Sequence, residues 1–174
     1  MHAPEQRPRL HHAPLAGRTV VVAPGRAGRP NELEGDTLRC PFCAGNESLT
    51  PPDLLRTPRS AAEPWRSRIV PNQFPIVTEV ATCDRTAAGP TASLPLPAHG
   101  VHDVVIESAE HVASILSIAP ARSPRAASIA SRSRQSSQTS HQPAGAMVFK
   151  NSGIRAGASL EHVHSQLIAL DFVP

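Results

Sequence analysis

Two histidines separated by one residue, in the segment EHVHSQ at positions 161–166, constrain the backbone of this chain more than any other feature. In a β-strand alternate side chains share a face, so His162, His164 and Gln166 would point the same way, with about 6.6 Å between successive members. In an α-helix the same spacing would turn the two imidazoles about 200° apart. Because a glycine-containing loop precedes the segment and the apolar run LIAL follows it, the sequence favours a strand over residues 162–170.

Two imidazoles held this close together need different roles. Each ring has two nitrogens that require partners, and two protonated rings would repel each other. A division of labour satisfies both rings, in which one histidine binds a metal ion and the other stays a free nucleophile or base. The alternative is a surface pair without such a role, and the spacing alone does not exclude it.

A Cys-x-x-Cys pair, Cys40 and Cys43, supplies two further candidate ligands. The total of three cysteines is odd, which does not suggest a disulfide framework, and such a pair in a reducing compartment is typical of a metal site or a redox couple. Together with His111 and His162, the pair would form a closed Cys2His2 site of the structural kind. The ligands are far apart along the chain, so this site would join three distant segments. The alternative for His111 is an ordinary surface or capping residue.

The composition excludes several classes of partner. The formal net charge is only +3 and aromatic residues make up 3% of the chain, so neither a basic surface nor a stacking platform for nucleic acid is expected. No apolar run approaches the roughly 18 residues that span a bilayer, and residues 1–14 lack the apolar core of a secretion signal. We therefore expect a cytoplasmic protein with no nucleic-acid or membrane partner.

Hydrophobic patterning divides the chain into short strands separated by loops rich in proline, of which there are 19 among 174 residues. Residues 1–14 are predicted to form a disordered tail, and residues 109–118 to begin a helix. Residues 48–64 and 81–100 are predicted to be connectors. Strands are predicted over 18–23, 66–70, 75–80, 101–107, 147–150 and 162–170.

Residues 119–146 differ from the rest of the chain, since Ser, Arg, Ala and Gln dominate and large apolar residues are nearly absent. Such a segment cannot bury a helical face, and taken alone it is typical of a disordered basic linker. The abrupt change in composition also suggests a frame-shifted or degraded stretch. Resequencing of the coding DNA tests that hypothesis, and an uninterrupted frame would count against it.

Several motifs occur in an order that one enzyme family shares. They are RAGRP at 26–30, CPFCAGNE at 40–47, RIVPNQFP at 68–75, GVHDVVIE at 100–107, His111, FKNSG at 149–153 and HVHSQ at 162–166. In these motifs the chain resembles the N-terminal half of the galactose-1-phosphate uridylyltransferases, within the histidine-triad superfamily. The resemblance implies an α+β fold, a histidine-triad-like antiparallel sheet with few helices. Residues 15–174 would be the N-terminal domain, the family's C-terminal domain would be absent, and residues 119–146 stand where the family has a long helix.

The resemblance implies a ping-pong reaction of galactose metabolism, in which a uridylyl group passes from UDP-glucose to galactose 1-phosphate. His164 would be the nucleophile that carries the uridylyl group, and a neutral imidazole is a good nucleophile near pH 7. Gln166 would hold the phosphoryl oxygens without supplying a proton. Zinc, in a supporting role, would be held at the family's ligand positions, Cys40, Cys43, His111 and His162.

The resemblance also maps seven positions onto nucleotide or phosphate contacts: Arg26, Arg29, Phe42, Asn72, Phe74, Asn151 and Ser159. Each type has a plainer alternative. The arginines could belong to a solvated basic loop, the phenylalanines to the core, the asparagines to turns and the serine to an ordinary loop. His102 is interpreted as an ordinary polar position and Trp65 as a packing residue.

Two other functions stay open at this point. A related enzyme would use ADP-glucose with phosphate as the acceptor, since nothing in the sequence separates the two bases. A non-catalytic, zinc-stabilised fragment would account for the absent second domain and for the unusual segment 119–146. The expected partners are small-molecule substrates. The sequence leaves open whether the chain forms a homodimer.

Overall fold

A computed structural model gives the arrangement of residues 7–13, 15, 17–29, 40–60, 62–79, 96–118 and 143–171. In chain order the strands are β1 (Arg9–Ala13), β2 (Arg18–Val22), β3 (Leu55–Thr57), β4 (Ser67–Pro71), β5 (Leu96–Pro97), β6 (Gly100–Ile106), β7 (Gly145–Phe149) and β8 (His164–Leu170). Short 3-10 helices span Pro24–Gly28, Glu47–Leu49, Ile115–Ser117 and Ile154–Ala156. Within these described ranges there is no α-helix. The predicted antiparallel sheet with few helices is confirmed.

The larger sheet has five strands in the order β3-β4-β6-β8-β7, and all its neighbours are antiparallel. The two central strands, β6 and β8, are buried along most of their length. This burial explains their apolar runs, since a strand covered on both faces does not alternate between apolar and polar residues. Their register places Ile106 opposite His164 and Val104 opposite Gln166.

One face of the larger sheet carries both the core and the candidate site. Residues directly opposite each other on paired strands share a face, so His164 and Gln166 lie on the same face as Ile106 and Val104. The main core cluster on this face comprises Cys40, Phe42, Trp65, Val70, Val104 and Ile106. A second cluster further along the sheet comprises Val77, Ala98, Ile168 and Leu170. The candidate site therefore borders a packed core.

The smaller sheet corrects the prediction of a disordered tail over residues 1–14. Residues 9–13 form β1, which pairs with all five residues of β2 and with β5. The charged and histidine residues of this segment give no alternating apolar pattern, so the strand was not predicted. In the structure, Leu10 and Val21 pack against the second core cluster. Backbone pairing on both edges of β1 and this apolar contact explain why it is ordered. Residues 1–6 lie outside the described ranges.

The predicted strand over residues 75–80 is wrong for the part of it that is described. Residues 75–79 run beside the sheet with a single isolated bridge, from Thr78 to His99. The backbone N–H of Ile76 donates to the Nδ1 atom of His102 instead of to a neighbouring strand, and Pro75 has no N–H to donate. The His102 side chain therefore accepts the hydrogen bond that a neighbouring strand would otherwise accept from Ile76.

The predicted helix over residues 109–118 is also wrong, and only Ile115–Ser117 forms a single 3-10 turn. An α-helix would need the carbonyls of Ala109 and Val112 for its own hydrogen bonds. Instead the Ala109 carbonyl accepts from Ala44 N–H and the Val112 carbonyl accepts from Val163 N–H. These two bonds tie the segment to the loops that carry the cysteines and His162.

The remaining predicted elements agree with the structure within two residues at most ends. β2, β4, β6, β7 and β8 lie where strands were predicted. The predicted connectors contain two short strands, β3 and β5, which were missed because each has only two or three residues. Residues 119–142 of the unusual segment lie outside the described ranges. No helix in the described part of the chain has the length and apolarity needed to cross a membrane.

Candidate active site and metal centre

The EHVHSQ segment enters the sheet two residues later than the sequence predicts. β8 begins at His164, so His162 precedes the strand by two residues. His164 and Gln166 both line a cavity of about 280 Å³ on the core face of the sheet. His162 lies outside that cavity and is buried beside the cysteine loop. The two rings are therefore neighbours in the chain but face different surroundings.

The four predicted metal ligands come together from three segments of the chain. The ligand atoms of Cys40, Cys43, His111 and His162 all lie within 4.8 Å of one another. The Nδ1 atom of His162 is 3.5 Å from the Cys40 Sγ and 3.6 Å from the Cys43 Sγ, and His111 Nδ1 is 3.4 Å from the Cys43 Sγ. The group could hold a metal ion.

These distances fit tetrahedral coordination. With metal–sulfur bonds of about 2.3 Å and metal–nitrogen bonds of about 2.05 Å, the edge between a sulfur and a nitrogen ligand is about 3.5 Å. Three of the four sulfur–nitrogen distances, at 3.4 to 3.6 Å, match that edge. Two sulfur and two nitrogen donors are the set that structural zinc sites use. The donor chemistry and the spacing therefore both fit a four-coordinate metal.

The protonation of the cluster is consistent with a metal site. The Nε2 atom of His162 lies 3.0 Å from the carbonyl oxygen of Ser108. Because a carbonyl only accepts, Nε2 carries the proton and Nδ1 presents its lone pair to the thiols. Burial lowers the pKa of His162 to about 4, which keeps the ring neutral. Burial also raises the pKa of Cys40 to about 11, so this thiol would release its proton only to a bound metal.

His164 has the opposite tautomer. Its Nδ1 atom lies 2.7 Å from the carbonyl oxygen of His162. Nδ1 therefore carries the proton, and the Nε2 lone pair is free of that bond. Burial lowers the pKa of His164 below its ordinary value, and the charges of Lys150 and Arg29 act in the same direction. The ring is a neutral imidazole whose unprotonated nitrogen is the one available for nucleophilic attack.

A buried ion pair supports the backbone behind His164. The carboxylate of Glu107, the residue that follows β6, is almost fully buried. It accepts from the ammonium of Lys150 and, at 2.7 Å, from the hydroxyl of Ser165. The Lys150 ammonium also donates to the His164 carbonyl, at 2.7 Å. This network connects β6, β8 and the residue that follows β7.

The cavity brings together eight of the nine residues predicted to be catalytic or to contact the substrate. Its lining includes Arg26, Arg29, Phe42, Asn72, Phe74, Ser159, His164 and Gln166. The ninth, Asn151, lines an adjacent hollow of about 360 Å³, whose lining also includes His162 and His164. His164 therefore stands between the two hollows.

Several of these side chains also have structural contacts that agree with the plainer alternatives. Phe42 is buried in the core, with its ring centroid 5.2 Å from that of His164. The Asn72 Oδ1 atom accepts from the Phe74 N–H at 2.9 Å, as in a turn. Arg26 donates to the Phe74 carbonyl. The pKa of Arg26 is lowered mainly by burial and, to a smaller extent, by the positive charge of Arg29.

One residue of the site was missed by the sequence analysis. His102, interpreted there as an ordinary polar position, is 5% exposed and lies behind the cavity lining. Its Nε2 atom is 2.9 Å from the Oε1 atom of Gln166 and 3.0 Å from the Nδ2 atom of Asn72. The only sequence signal was a histidine inside a strongly apolar strand, where a buried polar group needs partners.

Comparisons with known proteins identify the family of this chain. Residues 4–174 match the family described as galactose-1-phosphate uridyl transferase, N-terminal domain. An ADP-glucose phosphorylase of Arabidopsis thaliana is 33% identical over 178 residues, which cover 97% of this chain and 50% of the relative. The chain therefore spans about half the length of the curated relative that it matches.

Solved structures show the same likeness. The crystal structure of an ADP-glucose phosphorylase from Arabidopsis thaliana with bound ADP-glucose is 33% identical and has a TM-score of 0.61, over 96% of this chain and 50% of the other. A structure described as a uridylyltransferase is 26% identical and has a TM-score of 0.68, over 95% of this chain and 47% of the other. The predicted fold class is confirmed by these matches.

Proposed function

This chain belongs to the galactose-1-phosphate uridyl transferase family, and from that premise we propose that it transfers a nucleotidyl group through a covalent intermediate on His164. The observation that carries the proposal is the tautomer of this ring. Its proton is held at Nδ1 by the His162 carbonyl, at 2.7 Å, so the Nε2 lone pair is available to a substrate in the cavity that this ring lines.

In the first step the Nε2 lone pair attacks the α-phosphorus of a nucleoside diphosphate sugar. The new nitrogen–phosphorus bond forms as the bond from that phosphorus to the bridging oxygen breaks, and the sugar 1-phosphate leaves with the electron pair. The His164 ring becomes positively charged, and the His162 carbonyl stabilises it through the Nδ1 proton. In the second step a phosphate oxygen of the acceptor attacks the phosphorus, and the nitrogen–phosphorus bond breaks to restore neutral His164.

Other residues of the cavity would stabilise the phosphoryl group. The guanidinium of Arg29 and the side-chain amide of Gln166 line the same cavity as His164 and can donate to phosphoryl oxygens. An amide holds these oxygens without giving up a proton. This property suits transfer to an acceptor, in which the nucleotidyl group must survive on His164 until the sugar phosphate has left.

We propose zinc as the metal of the Cys40, Cys43, His111 and His162 cluster. Two thiolates, two imidazoles and three sulfur–nitrogen distances close to a tetrahedral edge favour it, and four protein ligands leave no open position for the substrate. Bound there, zinc would fix the backbone that presents the His162 carbonyl to His164. Its contribution to the reaction would be the placement of the nucleophile.

For the substrates we propose ADP-glucose as donor and phosphate as acceptor. This pair was the alternative in the sequence analysis. It is favoured over UDP-glucose and galactose 1-phosphate because the Arabidopsis thaliana relative at 33% identity is an ADP-glucose phosphorylase. The uridylyl reaction of galactose metabolism is the second candidate. The observation in its favour is the TM-score of 0.68 to a uridylyltransferase, against 0.61 to the phosphorylase structure.

The experiment is mass spectrometry of the intact chain and its peptides after mixing with ADP-glucose or, separately, with UDP-glucose. An adenylyl mass on the peptide that contains His164, removed by added phosphate, is the expected result. A uridylyl mass instead would establish the second candidate. With metal bound and no added mass from either donor, the chain would be a non-catalytic metal-stabilised domain, and the proposed function would be wrong.

Three further features are proposed with this function. Residues 15–174 would act as the N-terminal domain of the two-domain family, supported by the family match over residues 4–174. A reducing compartment such as the cytoplasm would suit the free thiols of Cys40 and Cys43. A homodimer is the assembly to be tested first, by sedimentation of the intact chain.

A further inference from the structure

We propose that His102 is a positioning residue for nucleotidyl transfer, which holds the Gln166 amide so that its oxygen points away from the substrate and its NH2 group faces the cavity. This inference rests on the proposed function for its catalytic consequence. The contact itself, from the Nε2 atom of His102 to the Oε1 atom of Gln166, is 2.9 Å long and buried.

The placement of His102 in the sheet makes this contact possible. His102 lies opposite Ile168 on the paired strands β6 and β8, and Gln166 lies opposite Val104. The two side chains are therefore diagonal neighbours on one face, within reach of each other. Gln166 lines the cavity beside His164, and the His102 ring lies behind it at 5% exposure.

The other nitrogen of the ring determines what His102 can offer to Gln166. The Nδ1 atom of His102 accepts from the backbone N–H of Ile76 at 3.0 Å. A neutral imidazole has one acceptor and one donor nitrogen, so an accepting Nδ1 requires a proton on Nε2. Nε2 therefore donates, and the group it needs from Gln166 is the carbonyl oxygen. Burial lowers the pKa of His102 to about 4, with the charge of Arg26 acting in the same direction, so the ring stays neutral near pH 7.

The consequence for catalysis follows from the two ends of an amide. With its oxygen held by His102, Gln166 presents two N–H donors to the cavity that His164 lines. If the amide were free to turn over, its oxygen would face the negatively charged phosphoryl oxygens for part of the time. A preorganised donor contributes more to a transition state than one that must first reorient.

The bond from the Ile76 N–H to His102 also explains why the described residues 75–79 do not form the strand that was predicted there. The N–H of Ile76 leaves the sheet ladder to bind His102. Asn72, at the start of the same loop, accepts from the Phe74 N–H through its Oδ1 atom at 2.9 Å. The irregular loop over residues 72–76 therefore supports the ring that orients Gln166.

The test compares His102→Leu with His102→Gln in the intact chain. Gln can place an N–H near the position of Nε2, whereas Leu has a similar volume and no donor. We expect His102→Leu to lower the single-turnover rate of nucleotidyl-protein formation by about 10- to 100-fold at saturating donor. The donor concentration at half-saturation should change by less than about twofold, since the orienting bond acts on the transition state. His102→Gln should be about tenfold faster than His102→Leu.

A double-mutant comparison separates positioning from a general structural effect. In a Gln166→Ala background, His102→Leu should change the rate by less than about twofold, because the group it orients is gone. An equal loss in both backgrounds would show that His102 acts only through stability, and the proposal would be overturned.

An NMR measurement decides the contact even if the chain forms no nucleotidyl-protein. Nitrogen spectra of the imidazoles should show the proton of His102 on Nε2, and the Gln166 side-chain amide should give one sharp pair of signals that broadens or shifts in His102→Leu. A proton on Nδ1, or Gln166 signals that His102→Leu leaves in place, would refute the orientation. Absence of labelling with the expected spectra would refute the proposed function and leave the His102–Gln166 contact established.

Discussion

His162 and His164 are two residues apart and have opposite tautomers, each fixed by a backbone carbonyl. We expect His164→Gly to abolish nucleotidyl-protein formation, because no other imidazole lines the described part of that cavity. The metal content should stay near that of the original chain, since the ligand cluster does not include His164. Mass spectrometry and elemental analysis of the same sample measure both quantities. Residual labelling on the peptide would contradict the assignment of the nucleophile.

His162→Ala should have a different effect. The substitution removes one of the four proposed metal ligands and the contact from its Nε2 atom to the Ser108 carbonyl. We expect loss of the metal and a decrease in the free energy of unfolding of several kcal/mol, because metal-binding energy in such a site is folding energy. Urea titration with parallel metal analysis measures this. If His162→Ala and His164→Gly gave the same metal content and the same stability, the division of roles between the rings would be wrong.

The burial of His102 predicts a dependence of stability on pH. Its pKa is lowered to about 4 in the folded chain, whereas an unfolded histidine has a pKa of about 6.5. Between these values the unfolded state binds more protons, so stability falls as the pH falls. For this group alone, the free energy of unfolding should decrease by about 2 kcal/mol from pH 7 to pH 5. Urea titrations at both pH values should show a smaller decrease in His102→Gln, and equal decreases would contradict the prediction.

Some residues of the candidate site could be predicted from the sequence and others could not. Cys40, Cys43, His111 and His162 were predicted as a group because metal ligands are restricted to few residue types, and the structure brings their ligand atoms within 4.8 Å. His102 could not be assigned because its role depends on a register between strands and on a loop N–H. Neither of these is encoded in local spacing.

At the level of elements, the pair β6 and β8 holds the site, and the buried carboxylate of Glu107 binds both strands to Lys150. We expect Lys150→Met to lower the free energy of unfolding by about 2 kcal/mol, because it removes the ammonium from a buried carboxylate. This value is below that for a fully buried pair, since the Lys150 side chain is 23% exposed. Urea titration of the variant measures the loss.

Glu107→Gln provides the control for this pair. In that background there is no carboxylate charge to leave behind, so Lys150→Met should cost less than half as much. Equal losses with and without the Glu107 carboxylate would show that Lys150 acts only by packing and by its bond to the His164 carbonyl.

The elements themselves were predictable where hydrophobic runs are long. β6 and β8 were found because both faces of each strand are covered. The strand over the described residues 75–79 and the helix over 109–118 were predicted wrongly because distant groups form hydrogen bonds with their backbone. The His102 ring accepts the Ile76 N–H, and Ala44 and Val163 donate to the carbonyls that a helix would have needed. Secondary-structure propensity is a local property, so it cannot predict hydrogen bonds between residues that are far apart in the sequence.

For the whole molecule, the candidate metal cluster would act, with an ion bound, as a link between segments that the sheet does not hold directly. Cys40 and Cys43 lie in a loop before β3, His111 lies in a loop after β6, and His162 lies just before β8. Hydrogen bonds from Ala44 to Ala109 and from Val163 to Val112 follow the same path. A bound metal would join all three loops and restrict the unfolded chain as well as stabilise the folded one.

Removal of the metal should therefore lower the melting temperature of the entire chain. A loss of several kcal/mol corresponds to a fall of about 10 °C or more for a chain of this size, at roughly 2–4 °C per kcal/mol. Calorimetry with and without a strong chelator measures the shift, and one equivalent of zinc should reverse it. Cys40→Ser serves as the control, because a chain without the buried thiolate should start from the lower melting temperature and respond weakly to the chelator. A chelated chain that melts at the original temperature would show that the four residues pack without binding metal, and that the hydrogen bonds between the loops are enough to hold them together.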